Sequence, residues 1–164
     1  MKIWERLFKH SERNFIIISC LIALILSVFP WNTTYLFWLP DWIGMVLLFW
    51  ILNRPSSVQL GIVFFVGIII DILCASTLGF HALAYLCAAF FILQHRQRII
   101  IYDFGMQAIM IGIALLISRV AMAISWALIM HKFIGWHFFV PPITAALLWP
   151  LLNKLMFKIF SKQI

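Results

Sequence analysis

The feature that most constrains the fold is a series of apolar segments, one of which contains a carboxylate, Asp71. In the run from Val58 to Leu73, Asp71 is the only charged side chain. An ionised aspartate in membrane hydrocarbon costs about 3 kcal/mol on insertion scales, so such a residue normally faces a partner, a cavity or a neighbouring helix. Gly67, Asp71 and Ala75 follow one another at i, i+4 and i+8 and share one helix face. The small residues predict that this face packs closely against another helix.

The composition predicts an integral membrane protein, because 65% of the residues are hydrophobic and only 10% are charged. Lys and Arg number twelve against five Asp and Glu. These cations lie at the ends of the apolar segments, which indicates membrane topology and contact with anionic lipid headgroups rather than nucleic acid. Cys20, Cys74 and Cys87 have no metal-ligand spacing and are interpreted as small buried hydrophobes.

The order of segments predicts one transmembrane domain over residues 1–164, built as an all-α bundle of six membrane helices. Residues 1–13 are amphipathic and predict an interfacial helix on the cytoplasmic leaflet, with a flexible basic tail as the alternative. The second membrane segment is short for a bilayer that needs roughly 20 residues. The six segments within residues 14–160 are placed at about 14–29, 42–52, 58–75, 81–93, 104–130 and 143–160.

The distribution of basic residues predicts the orientation of the bundle. With the N-terminus inside, ten Lys and Arg lie on the cytoplasmic side, Lys132 lies outside and Arg119 lies in the membrane. Six spans with both termini cytoplasmic therefore fit the positive-inside rule. The outer connections are then Trp31–Trp42 and His131–Pro142.

Asp71 and Arg119 are the only charges predicted to lie deep in the membrane. They lie 13 residues beyond Val58 and 15 residues beyond Phe104, so their depths differ by about 3 Å. A buried Asp71–Arg119 ion pair is one hypothesis. The alternatives are that Arg119 extends outward to the interface, and that Asp71 accepts hydrogen bonds from Ser76, Thr77 or the backbone.

Catalytic and metal-binding patterns are weak in this sequence. No His and carboxylate are placed to activate Ser118, and His131 and His137 are six residues apart without an acidic or Cys neighbour. There is no glycine-rich phosphate loop. A single intramembrane acid, Asp71, does not make a proton relay. We therefore expect no enzymatic activity, no cofactor and no metal.

Several short motifs resemble those of the rod shape-determining protein MreD family. One is the step from Gly67 to Asp71, followed by Thr77-Leu78-Gly79 and, after three residues, Leu83. Others are Leu148-Trp149-Pro150 late in the last segment and Pro40-Asp41-Trp42 leading into Phe49-Trp50-Ile51-Leu52. The candidate structural or partner-contact residues are Gly67, Asp71, Thr77, Leu78, Gly79, Leu83, Arg119, Trp149 and Pro150.

The resemblance implies a non-enzymatic, multi-pass subunit of the bacterial cytoplasmic (inner) membrane that serves cell elongation. Its expected partner is an MreC-like bitopic scaffold, through which an MreB-like filament is coupled to the peptidoglycan polymerase RodA and its transpeptidase. The family's fold is also similar to the S-components of vitamin transporters. The alternative function is therefore a small-molecule-binding S-component of an energy-coupling factor transporter. S-components present a polar pocket near the outer face, whereas the two outer connections here are aromatic and poor in hydrogen-bonding side chains, which favours the first function.

Overall fold

The computed structural model describes residues 2–30, 38–130 and 135–161, with side chains for 13–30, 38–129 and 135–159. Within these residues the fold is all-helical, with six α-helices, and the prediction of six helices is confirmed. Residues 31–37 and 131–134 of the predicted outer connections lie outside the described residues. The elements are α1 (Lys2–Val28), α2 (Trp42–Asn53), α3 (Leu60–Leu73), α4 (Phe80–Ile99), α5 (Phe104–Met130), the short 3-10 helix η1 (Trp136–Phe139) and α6 (Pro141–Ser161).

The start of the chain differs from the prediction. A separate helix was expected over residues 1–13, but α1 is continuous from Lys2 to Val28 and has no end near residue 13. The reason is local, since this stretch contains no Gly or Pro to interrupt the backbone hydrogen bonds. The amphipathic and apolar parts therefore form one element.

Helix α2 is the centre of the bundle. Every residue from Ile43 to Leu52 is buried, and α2 packs against α1, α4, α5 and α6. A helix that is apolar on all sides belongs in such an enclosed position. Its 12 residues span about 18 Å, well short of a hydrocarbon core of about 30 Å. Phe49 and Trp50 pack edge to face at 5.3 Å, and Trp50 Nε1 donates a 2.9 Å hydrogen bond to Ser19 Oγ of α1.

The outer surface of the bundle is apolar. Large hydrophobic side chains are 63% exposed at Ile25 of α1, 68% at Phe65 of α3, 70% at Leu128 of α5 and 76% at Leu147 of α6. Continuous apolar surface of this kind marks contact with a membrane or another protein. Two helical stretches of the described chain, Phe104–Ile129 and Trp136–Ile159, are long and apolar enough to cross a membrane by length and composition.

Two glycines mark close crossings of neighbouring helices. A Cβ added at Gly67 of α3 would lie 2.3 Å from the Cα of Ala82 in α4. A Cβ added at Gly112 of α5 would lie 2.9 Å from the Cβ of Ala146 in α6. The close packing predicted at Gly67 is therefore present, and the neighbour that it meets is α4. Ala75 does not share that face, because α3 ends at Leu73 and Ala75 has a left-handed backbone.

Candidate functional site

Asp71 lies at the centre of a hydrogen-bonded turn between α3 and α4. Its side chain is fully buried. Oδ1 accepts from Ser76 Oγ at 2.8 Å, from the His81 backbone N–H at 3.0 Å and from His81 Nδ1 at 2.7 Å. Oδ2 accepts from the Gly79 N–H at 2.8 Å. These four donors match the roughly four acceptor sites of an ionised carboxylate, so Asp71 is satisfied by its own turn.

The turn itself has an unusual backbone. Ala75 has φ of 49° and Gly79 has φ of 99°, both in the left-handed region. Glycine adopts this conformation without strain, which explains its position directly before α4. The Asp71 carboxylate holds the N–H groups of Gly79 and His81 at the start of α4, where no earlier helical carbonyl accepts them. Asp71 therefore joins the end of α3 to the start of α4.

A second carboxylate, Asp41, lies at the same end of the bundle and begins α2. Asp41 Oδ1 accepts a hydrogen bond from the Gly44 N–H at 3.0 Å, as an N-cap does. It also accepts from the Tyr85 hydroxyl of α4 at 2.9 Å. Arg119 Nη2 of α5 lies 3.6 Å from Asp41 Oδ2, and the Arg119 guanidinium carbon lies 4.9 Å from the centre of the Phe138 ring. One carboxylate thus ties together α2, α4 and α5.

A cavity of about 350 Å³ opens between these groups. Its polar lining comes from Asp41, His81, Tyr85, Arg119 and His137. Most of these side chains belong to helices rather than to connections. The sequence comparison considered the outer connections alone, and the helix ends beneath them add His81, Tyr85 and Arg119 to the cavity.

The hypothesis of an Asp71–Arg119 ion pair is wrong as well. Arg119 is paired with Asp41, whereas Asp71 is bonded to Ser76, Gly79 and His81. The alternative in which Asp71 accepts from Ser76 and the backbone is the one that the structure shows. Comparing depths along two helices missed the pair because it left Asp41 in a connection, where its side chain was not considered as a partner.

The remaining predicted residues divide into an exposed and a buried set. Leu78 is 65% exposed and Leu83 is 50% exposed, while the Thr77 carbonyl accepts from the Phe80 N–H at 3.3 Å. Trp149 is fully buried against Phe49, at 6.3 Å between ring centres.

Pro150 lies inside α6 on its exposed side. Having no N–H, it cannot donate to the carbonyl four residues earlier. The candidate residues therefore do not form one site.

Sequence reasoning missed the roles of Asp41, His81 and Tyr85. A signal existed for Asp41, since an Asp that follows a proline and precedes an apolar run is a typical helix N-cap. His81 and Tyr85 are four residues apart and share one face of α4, which points toward the two carboxylates. Their pairing with Asp71 and Asp41 depends on how α3 and α2 pack against α4, which no local pattern gives.

Comparison with known proteins identifies the family. The family model of rod shape-determining protein MreD matches residues 10–159. The rod shape-determining protein MreD of Haemophilus influenzae is 29% identical over 141 residues, which cover 86% of this chain and 87% of that protein. No solved structure matches the chain. Since the family model covers most of the sequence, the chain belongs to the MreD family of rod shape-determining proteins.

Proposed function

We propose that this protein is a non-enzymatic, multi-pass subunit of the bacterial cytoplasmic membrane that helps to determine rod shape by binding an MreC-like bitopic scaffold. Through that scaffold it couples an MreB-like filament to RodA and its transpeptidase. The observation that carries the proposal is the family match over residues 10–159, which supports a role in rod-shape determination. The scaffold and the coupling follow from the resemblance of the motifs.

The apolar exterior supports a position in the membrane. Leu147 and Phe65 are among many large hydrophobic side chains that are more than half exposed, and the central helix α2 is shielded from any solvent by its neighbours. In water such a surface drives aggregation, whereas in lipid it carries no penalty. We place the bundle as one transmembrane domain, with the end at Asn53, Arg96 and Asn153 toward the cytoplasm.

Cysteine accessibility tests this orientation. In a variant without Cys20, Cys74 and Cys87, single cysteines at Asn32 and Lys162 are labelled from outside intact spheroplasts. We expect labelling at Asn32 and protection at Lys162 until the membrane is permeabilised. Equal labelling of both positions from outside contradicts six spans with cytoplasmic termini.

Two exposed members of the candidate set, Leu78 and Leu83, are proposed as the scaffold contact. Leu78 and Leu83 lie on the outside of the bundle near the Asp71 turn, whereas Gly67, Gly79 and Trp149 support packing or turn geometry. A photo-reactive side chain at Leu83 is expected to crosslink to the MreC-like protein in cells. The same group at Leu147, which is 76% exposed on α6, is the control. Crosslinking at Leu147 and not at Leu83 would move the interface to another face.

A second function, binding of a small molecule as an S-component does, is favoured by the cavity beside Asp41. Its 350 Å³ and its polar side chains from α2, α4 and α5 suit a small polar ligand. Co-purification discriminates the two functions. A bound small molecule that is lost in Arg119→Gln, together with an ATPase module, supports the transporter role, whereas a bitopic partner retained by that variant supports the shape role.

A further inference from the structure

A second cavity lies at the opposite end of the bundle, where α2 ends and the connection from α4 to α5 passes. Its volume is about 400 Å³, and its polar lining comes from Asn53, Tyr102, Asp103, Gln107 and Asn153. None of these residues was singled out by the sequence motifs. The kind of group that this cavity can bind depends on which of its polar atoms already have hydrogen-bond partners.

The amide orientations on one side of the cavity are fixed by a chain of hydrogen bonds. The Tyr102 carbonyl can only accept, so the side-chain atom of Gln107 that meets it at 3.1 Å is Nε2. Gln107 Oε1 then faces Asn153 and must receive a donor, which is Asn153 Nδ2 at 3.1 Å. The atom left over is Asn153 Oδ1, which is buried without a hydrogen-bond partner, in a residue only 2% exposed. An unpaired buried acceptor is unfavourable and calls for a donor.

The other side of the cavity also offers acceptors. Asn53 Nδ2 donates to the Phe49 carbonyl at 2.8 Å, so its uncommitted atom is Oδ1. The Asp103 carboxylate makes no hydrogen bond or ion pair with the described residues. At the C-terminal end of α2 the Leu52 carbonyl is already bound by Arg96 Nε at 2.8 Å, so the acceptors left for an occupant on this side are Asn53 Oδ1 and the Asp103 carboxylate. This pattern of acceptors suits a group with several N–H donors and a positive charge.

The edge of the cavity is apolar, and an exposed lysine adjoins one of its lining residues in the chain. Phe104 is 60% exposed, Phe157 and Ile100 are each 45% exposed, and all three line the cavity. Lys154, which directly follows Asn153, is exposed. An occupant that fits these surroundings has a primary ammonium, a neighbouring anionic group and an apolar tail.

We propose that this cavity binds the headgroup of an aminophospholipid such as phosphatidylethanolamine. The ammonium donates to Asn153 Oδ1, Asn53 Oδ1 and the Asp103 carboxylate, the phosphate lies near Lys154, and the acyl chains follow Phe104 and Phe157. The apolar edge favours a lipid over the lysine side chain of a soluble partner. The inference rests on the proposed membrane placement of the protein.

Two lipids that differ only in N–H donors test the proposal. The full chain is purified, and native mass spectrometry measures its binding of dioleoyl-phosphatidylethanolamine and of dioleoyl-phosphatidylcholine, whose quaternary ammonium cannot donate. We expect the wild-type protein to bind the ethanolamine lipid about tenfold more tightly. Asn153→Leu and Asp103→Asn should bring the ratio of the two affinities close to one. Asp103 is exposed, so its variant tests the ammonium contact without changing a buried side chain.

Lys154→Gln is the matched control. It removes a cation that serves the phosphate of both lipids, so both affinities should fall while their ratio stays near tenfold. Equal binding of the two lipids by the wild-type protein, or an unchanged ratio in both Asn153→Leu and Asp103→Asn, overturns the proposal. A bitopic or soluble protein released by Asn153→Leu, with no lipid preference, assigns the cavity to a protein side chain instead. Failure of the protein to enter lipid nanodiscs at all would count against the membrane placement, not against the headgroup chemistry.

Discussion

The two ends of the bundle bury polar groups in opposite ways. At one end the carboxylates of Asp71 and Asp41 accept from donors within the chain, four for Asp71 and three for Asp41 if Arg119 is included. At the other end the amides of Gln107 and Asn153 form a chain that stops at an unpaired oxygen. A buried charge without partners costs far more than a buried neutral acceptor. The two carboxylates therefore have their partners within the chain, although the nearby Trp42 Nε1 is buried without one among the described residues. The amide chain of Gln107 and Asn153 has room for a donor from outside.

Helix α4 connects these two ends. Tyr85 binds Asp41 at the start of α2, and Arg96 binds the Leu52 carbonyl at its end. Tyr85 and Arg96 are separated by about 16 Å along α4, close to the length of about 18 Å of α2. Helix α4 thus binds α2 at both of its ends. Loss of either contact should therefore lower the stability of both helices.

The largest effect is expected from Asp71→Asn. Both oxygens of Asp71 accept, so an amide places N–H groups against one set of donors and leaves them unpaired. We expect the free energy of unfolding in detergent to fall by about 3 kcal/mol. Tryptophan fluorescence during unfolding measures this change. Adding Arg119→Gln should not restore stability, because Arg119 belongs to Asp41. If the double variant regains stability, Asp71 and Arg119 form an ion pair, and Arg119 is not the partner of Asp41 alone.

Gly67→Ala should have the next largest effect, since it tests the crossing that places α4 against α3. Its Cβ would lie 2.3 Å from the Ala82 backbone, so the helices must move apart, at a cost of about 2 kcal/mol. Gly61→Ala in the same helix is the control, because nothing lies within 4 Å of its added Cβ. Thermal unfolding of both variants measures the difference. Equal stability of the two would show that the crossing at Gly67 is loose.

Tyr85→Phe should have a smaller effect on stability, and it tests whether Asp41 joins α4 to α2. Removing the hydroxyl takes one donor from a carboxylate that keeps Gly44 and Arg119, so the loss is about 1.5 kcal/mol. Tyr102→Phe removes an exposed hydroxyl at the other end and should be silent. The same unfolding assay compares the two. A silent Tyr85→Phe would indicate that Asp41 serves only to cap α2.

The smallest effect is expected from Asn153→Leu in detergent without aminophospholipid. The change removes the unpaired Asn153 Oδ1 but takes the donor away from Gln107 Oε1, so one unpaired acceptor replaces another and the net loss should stay within about 1 kcal/mol. Adding phosphatidylethanolamine should stabilise the wild-type protein more than this variant. A loss of stability as large as that of Asp71→Asn would show that Asn153 Oδ1 already has a donor within the chain.

The sequence was sufficient to predict the positions of the helices. It was insufficient to predict which side chains contact one another. Apolar runs and turn residues such as Pro55 and Gly79 placed the six helices within a few residues, apart from the join within α1 and the end of α4. The basic residues after position 93 were read as a connection, but α4 continues through them to Ile99. Gly67 predicted close packing because a residue without a side chain lets a neighbouring helix backbone approach. The partner of Arg119 was missed because it depends on how α2, α4 and α5 meet. Asn153 carried no signal at all, since its unpaired oxygen exists only once Gln107 and Tyr102 are in place.

The enclosure of α2 has a consequence for the biosynthesis of the chain. In the membrane placement that we propose, α2 leaves the ribosome before α4, α5 and α6, which provide most of its surroundings. Synthesis proceeds at roughly 5–20 residues per second, so α2 waits a few seconds for the Tyr85 and Arg96 contacts at its ends. During that interval a helix too short to cross the bilayer unaided depends on the insertion machinery. A nascent chain that has completed α4 already has the Tyr85 and Arg96 contacts at the two ends of α2, whereas a shorter one lacks them.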